Sequence, residues 1–178
     1  MSKIDRRGSF KASKRIVVKI GSALLAQSQE GILRDRIAAY CAQICQLVND
    51  GYKVVVVTSG AVAAGMGRLG LQKRPSKINE LQAIAAIGQM NLMKAYEEDI
   101  GRLDQTSAMI LLTHEDFSNR QRYLNARSTL TRLLDLGVIP LINENDTVAT
   151  DEIRFGDNDT LSAVSYTHLR AHETGRNL

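Results

Sequence analysis

Tryptophan is absent from the 178 residues, and Phe and Tyr together bring the aromatics to only 4%. A core built from this chain must rest on Ile, Leu, Val, Ala and Met. Stacking platforms for nucleic acid, which need exposed aromatics, are not expected. No window approaches the roughly 18 uninterrupted apolar residues of a membrane helix, and no apolar run follows the first Met in the manner of a secretory signal. A cytoplasmic chain with neither nucleic acid nor membrane as partner is therefore expected. Cysteine occurs twice, as Cys41 and Cys45. Four apart in a helical pattern, the two read as small buried apolar groups and not as a disulfide or metal pair.

Hydrophobic residues make up 44% of the chain and charged residues 24%, the balance of a soluble globular domain. The charge is uneven. The whole chain carries +4, residues 1–15 carry +5 and residues 165–178 carry +1, which leaves −2 for residues 16–164. Residues 1–15 are expected to be a solvated, disordered basic tail.

Along the body, short runs rich in β-branched residues alternate with helical patterns. Arg15–Ile20 reads as a buried strand broken by Gly21-Ser22, and Lys53–Thr58 as a second strand leading into the small-residue turn Ser59–Gly65. Ser107–Leu112 and Val138–Ile142 read as the third and fourth, with Pro140 pointing to an edge or a strand start. Helices are expected over 35–49, about 79–99 and 118–136. Ile37, Cys41 and Ile44 face inward in the first, Leu81, Ile84, Ile87 and Leu92 in the second, and Tyr123, Leu124, Leu130, Leu133 and Leu134 in the third. Apolar strands alternating with helices predict an α/β fold, an open, mainly parallel sheet with helices on both faces.

In such sheets ligands gather beyond the carboxyl ends of the strands. There the sequence places Lys19-Ile20-Gly21-Ser22, Thr58-Ser59-Gly60-Ala61 and Asn143-Glu144-Asn145-Asp146, with Gly156-Asp157-Asn158-Asp159 further on. Each has a plainer reading: a surface lysine, a helix N-cap, a polar turn, an Asx-turn. An N-cap also offers free backbone N–H groups to an anion, so those readings coexist. Together they set one lysine, two small-residue anion turns and two Asn/Asp clusters on one rim, a layout suited to phosphoryl transfer onto a small zwitterion. The Walker A pattern GxxxxGK[ST] is missing, as is any protein-kinase pattern. The only histidines, His114, His168 and His172, stand in no triad context. His168 and His172 are four apart beside Glu173, but no third ligand accompanies them, and no metal ligand is assigned to the chain.

The segments VVKIGSALL, VVVVTSGAVAAGMGRLG, AAIGQMNLMKAY, Tyr123–Arg127 and above all PLINENDTVATDEIRFGDNDTLSA resemble the glutamate 5-kinase branch of the amino acid kinase family. The resemblance covers Ile16 to Ala163. It implies a three-layer α/β/α fold and ATP-dependent phosphorylation of the side-chain carboxylate of L-glutamate to L-glutamyl 5-phosphate, the first step of proline biosynthesis. By the family pattern Ser59, Asp146 and Asn158 hold glutamate, and Lys19 and Asp159 are catalytic, with Asp159 organising the lysines. Lys19, Gly21 and Gly60 face the phosphates of ATP, whose oxygens are bridged by Mg²⁺. For the full-length family member it further implies a homo-oligomer and functional coupling to glutamyl phosphate reductase.

After Ala163 the pattern stops. Residues 165–178 do not resemble the family and are expected to be a disordered or loosely helical tail, joined to the truncated, glutamate-binding part of a kinase domain at 16–164. The alternatives are a non-catalytic binding or interaction fragment that lacks the ATP half, and an amino acid kinase acting on another acid such as aspartate or carbamate.

Overall fold

The computed structural model describes residues 15–27, 30–149 and 172–173. In chain order the elements are β1 (Arg15–Lys19), α1 (Ser22–Leu25), β2 (Ala26–Gln27), β3 (Gly31–Ile32), α2 (Arg34–Asn49), β4 (Lys53–Val57), α3 (Ala61–Leu69) and α4 (Ile78–Gly101). They continue with β5 (Ser107–Leu112), α5 (His114–Ser118), α6 (Arg120–Asp135), β6 (Ile139–Glu144) and β7 (His172–Glu173). The main sheet has the order β5-β6-β4-β1-β7 and every pairing in it is parallel. β2 and β3 form a separate antiparallel hairpin.

Strand alternation divides the core between the two faces of the sheet. Val54, Val56, Ile139 and Leu141 point to one face, where Ile37, Cys41 and Ile44 of α2 and Leu92, Tyr96 and Ile100 of α4 cover them. Val17, Val55, Val57 and Ile142 point to the other, covered by Leu130 and Leu134 of α6. Strands covered on both sides need apolar residues at every position, and all four of Val54–Val57 are buried. Each such valine contributes on the order of 1.5–3 kcal/mol by leaving water. The layered α/β/α arrangement is the one expected from the sequence, and both cysteines are buried free thiols. Burial, with the Asp99 carboxylate adding to it, pushes the Cys41 thiol up to about 12.

Several local expectations are corrected. The helix expected over 118–136 is α6, Arg120–Asp135, and its N-cap is Asn119, whose side chain accepts from the N–H groups of Gln121 and Arg122 at 3.0 and 3.1 Å; the short helix α5 ahead of it was not expected. The Asp116 carboxylate accepts from the N–H and hydroxyl of Thr113 at 2.7 and 2.9 Å, so α5 has its own start. Leu124 and Ile87, expected inward, are 41% and 39% exposed, because the apolar stripes of α6 and α4 are narrower than simple periodicity suggests. Of the two readings of Pro140, an edge or a strand start, the second holds: it is the second residue of β6, which lies between β5 and β4. The N–H of Ile139 goes to Thr106 on the β5 side, so the N–H that proline lacks would face β4, and pairing with β4 begins only at Leu141. Proline costs no ladder bond there. Within the segment expected to be a loose tail, His172-Glu173 pairs in parallel with Ile16-Val17, taking up free backbone groups on that side of β1. The basic segment 1–14 and the remainder of 150–178 lie outside the described residues.

Candidate active site

The register aligns the carboxyl ends of three strands. Lys19 pairs with Val57 and Val57 with Ile142, and the Thr58 N–H donates to the Ile142 carbonyl at 2.8 Å. Lys19 closes β1 with an exposed side chain. Ser59 stands just beyond β4 and its hydroxyl donates to the Ile20 carbonyl at 3.1 Å, tying the first two turns together. Gly60 is the N-cap of α3 at φ +98°, a left-handed conformation that suits glycine. A Cβ on Gly60 would lie 3.5 Å from the Cα of Ser22, so the Gly21-Ser22 and Ser59-Gly60 turns are neighbours. No side chain caps α3, and its first amides are left for an incoming anion. The same holds for Gly21, the N-cap of the single-turn α1.

Asp146 lies on the turn after β6, where the Val148 and Ala149 N–H groups return to the Asn145 carbonyl at 3.1 Å. Desolvation pushes its carboxyl up to about 6, with the Arg74 guanidinium opposing the shift. Lys19, Gly21, Ser59, Gly60 and Asp146 thus share one edge of the sheet. Asn158 and Asp159 lie outside the described residues. Among the described residues no group of three or more His, Cys, Asp or Glu could hold a metal ion. None of the described helices is long and apolar enough to cross a membrane.

Sequence reasoning named Thr58 and Asn143 on this rim but missed the partners on α4 that hold them, Tyr96 and Gln89. Tyr96 is fully buried on α4 and shares a 3.1 Å hydrogen bond with Thr58, the residue before Ser59. Burial pushes its phenol well above the usual range, so it stays neutral. Asn143, 1% exposed, donates from Nδ2 to Gln89 Oε1 at 2.6 Å. The available signal was Gln89 itself, a polar residue among Ile84, Ala85, Gly88 and Leu92 on the inward stripe of α4.

The open parallel α/β sheet, with its turns gathered at the carboxyl ends of the strands, gives the class of fold, and the family follows from comparison. The model described as "Amino acid kinase family" matches residues 14–172, past the Ala163 where the motif resemblance ends. The chain belongs to the amino acid kinase family. It is 58% identical over 160 residues to a protein of Nitrosococcus oceani named glutamate 5-kinase, covering 90% of this chain and 43% of that relative. Proteins of the same name from Aromatoleum aromaticum and Saccharophagus degradans are 54% and 56% identical, over 93% and 90% of this chain and 45% and 43% of their own lengths. The chain therefore spans less than half the length of these curated relatives.

Proposed function

We propose that the chain carries the glutamate-binding part of an ATP-dependent glutamate 5-kinase acting in proline biosynthesis. The observation that carries this reading is the placement of Asp146: it lies on the turn after β6, at the same end of the sheet as Lys19, the Ser59-Gly60 turn and the uncapped start of α3. Desolvation raises its carboxyl, with Arg74 opposing. A partly buried carboxylate suits an ammonium group, and that of L-glutamate supplies one. Ser59 and Asn158 would add neutral hydrogen bonds to the substrate. The names of the relatives support L-glutamate over aspartate or carbamate as the acid.

The acceptor in this reaction is a side-chain carboxylate with an ordinary pKa of about 4.3, ionised at neutral pH, so no general base is required. A carboxylate oxygen bonds to the terminal phosphorus of ATP as the bond to the departing ADP oxygen breaks. The demands on the protein are alignment and neutralisation of charge. Lys19 supplies a positive charge, and the amides beyond Gly60 and Gly21 supply oriented donors. The uncapped start of α3 fits a phosphate group. Mg²⁺ would ride on the phosphate oxygens, as it commonly does, and no cage of protein carboxylates is needed for it. Asp159 is assigned to orienting the lysines. Self-association and coupling to glutamyl phosphate reductase, which would consume an acyl phosphate before it hydrolyses, belong to the same reading.

The test replaces the matching segment of the Nitrosococcus oceani relative with residues 14–172 of this chain and follows glutamate-dependent ADP release. Activity is expected with L-glutamate and not with L-aspartate. Lys19→Ala should lower kcat by roughly 10²–10³, the scale for removing one preorganised charge donor, with a much smaller change in the glutamate KM. A Lys19→Ala form that keeps its kcat and raises only KM would remove Lys19 from the transferring phosphoryl group.

A further inference from the structure

α4 holds both candidate substrate turns, and holds each from both sides. Before the Ser59-Gly60 turn, Thr58 shares a hydrogen bond with Tyr96. After it, Ala61 lies against Gly88, where a Cβ would come within 1.8 Å of the Ala61 carbonyl oxygen. Before the turn that carries Asp146, Asn143 donates to Gln89 at 2.6 Å. After it, the Gln82 Nε2 donates to the Ala149 carbonyl at 3.3 Å. Gly88 and Gln89 are consecutive, so one step of one helix fixes the start of α3 and the exit of β6 together. Gln89 is 9% exposed, and among the described residues its amide nitrogen donates to the Met109 sulfur, at 3.6 Å, a weak acceptor. Its carbonyl therefore carries the strong bond. Removing that acceptor takes away the bond that ties Asn143, at the end of β6, to α4.

We propose that Gln89 is a positioning residue for the acidic turn: through Asn143, with Gln82 as the second anchor, it sets where Asp146 meets the ammonium group of an α-amino acid. This rests on the reading of the rim as an L-glutamate site. Gln89 touches no substrate. It acts by fixing the 143–149 segment relative to the Ser59-Gly60 turn, so that the two turns meet one ligand at a fixed spacing.

The experiment is calorimetric titration of L-glutamate into the 178-residue chain and into its Gln89→Leu, Gln89→Glu and Gln82→Leu forms, each also melted by circular dichroism. Gln89→Leu should weaken binding about tenfold and Gln82→Leu about threefold, the range of one lost hydrogen bond. Gln89→Glu keeps an acceptor oxygen for Asn143 and should return affinity to within about threefold of the unsubstituted chain, whatever its melting temperature. Equal loss in Gln89→Leu and Gln89→Glu would reduce Gln89 to packing and overturn the proposal, as would unchanged affinity in Gln89→Leu. If Gln89→Leu does not fold, Gln82→Leu decides, and unchanged affinity there overturns the proposal. No binding by the unsubstituted chain would overturn the glutamate reading itself, an outcome distinct from the others.

Discussion

On one face of the sheet α4 buries Leu92, Ala95, Tyr96 and Ile100 almost entirely, while on the other α6 buries Leu130 and Leu134 and turns Leu124 and four arginines to solvent. The first face also carries the polar bonds from Tyr96, Gln89 and Gln82 to the strand ends. The second meets the sheet through an apolar cluster and the exposed Lys53–Asp135 ion pair. The same sheet is thus covered twice, once by a helix wired to the rim and once by a helix that only keeps water out. A change on the α4 face should be felt in both stability and binding, and a change on the α6 face in stability alone.

The largest effect is expected from Gly88→Ala, because the new methyl would collide with the Ala61 carbonyl oxygen and the Gly65 nitrogen, backbone atoms that cannot swing aside. A loss of about 3 kcal/mol or more in urea unfolding is expected for overpacking of this kind. Gly101→Ala, at the open end of the same helix with nothing within 4 Å, should be neutral or stabilise by up to about 1 kcal/mol. Equal effects at the two sites would erase the distinction between the packed and free ends of α4.

Leu92→Ala should come next, costing about 2–5 kcal/mol for a fully buried leucine. Its counterpart Leu124→Ala on α6, at 41% exposure, should stay within about 0.5 kcal/mol. The smallest effect should follow from Lys53→Ala. That lysine lies 2.6 Å from Asp135 and holds its carboxyl below the usual range, but both side chains face solvent and salt screens the pair. A melting temperature that hardly moves, and moves less still in 0.5 M salt, is the expected outcome.

Much of the α4 face was legible in the sequence because its apolar residues recur at helical spacing and its strands run four valines deep. The α6 side was less so. Leu124 fits the helical period but is 41% exposed, because the stripe of α6 that the sheet covers is narrower than the period suggests. The rim was legible as a set of turns, since Gly and Asx residues at strand ends have few other uses. The bonds that set the spacing of those turns were not. Gln89 and Asn143 are 54 residues apart, and the packing of α4 on the face of the sheet that holds Ile139 and Leu141 brings them together. The β2–β3 hairpin was missed because two-residue strands leave no alternation to read.

If Asp146 receives the ammonium group of L-glutamate, as proposed, binding must depend on the protonation of its carboxyl. Burial raises the Asp146 carboxyl to about 6, so in the free chain it is ionised above that pH and neutral below it. A cation binds the ionised form, hence affinity should be full above pH 6 and fall as pH drops through 6, by up to about tenfold per unit. Bound ligand lowers the carboxyl pKa, so binding near pH 6 should release a proton into the buffer. The measurement is an L-glutamate titration of the chain and of Asp146→Asn at pH 7.5 and pH 5. The unsubstituted chain should lose most of its affinity on acidification, and Asp146→Asn should bind weakly and alike at both. Equal affinity in the two proteins, with the same dependence on pH, would contradict the claim.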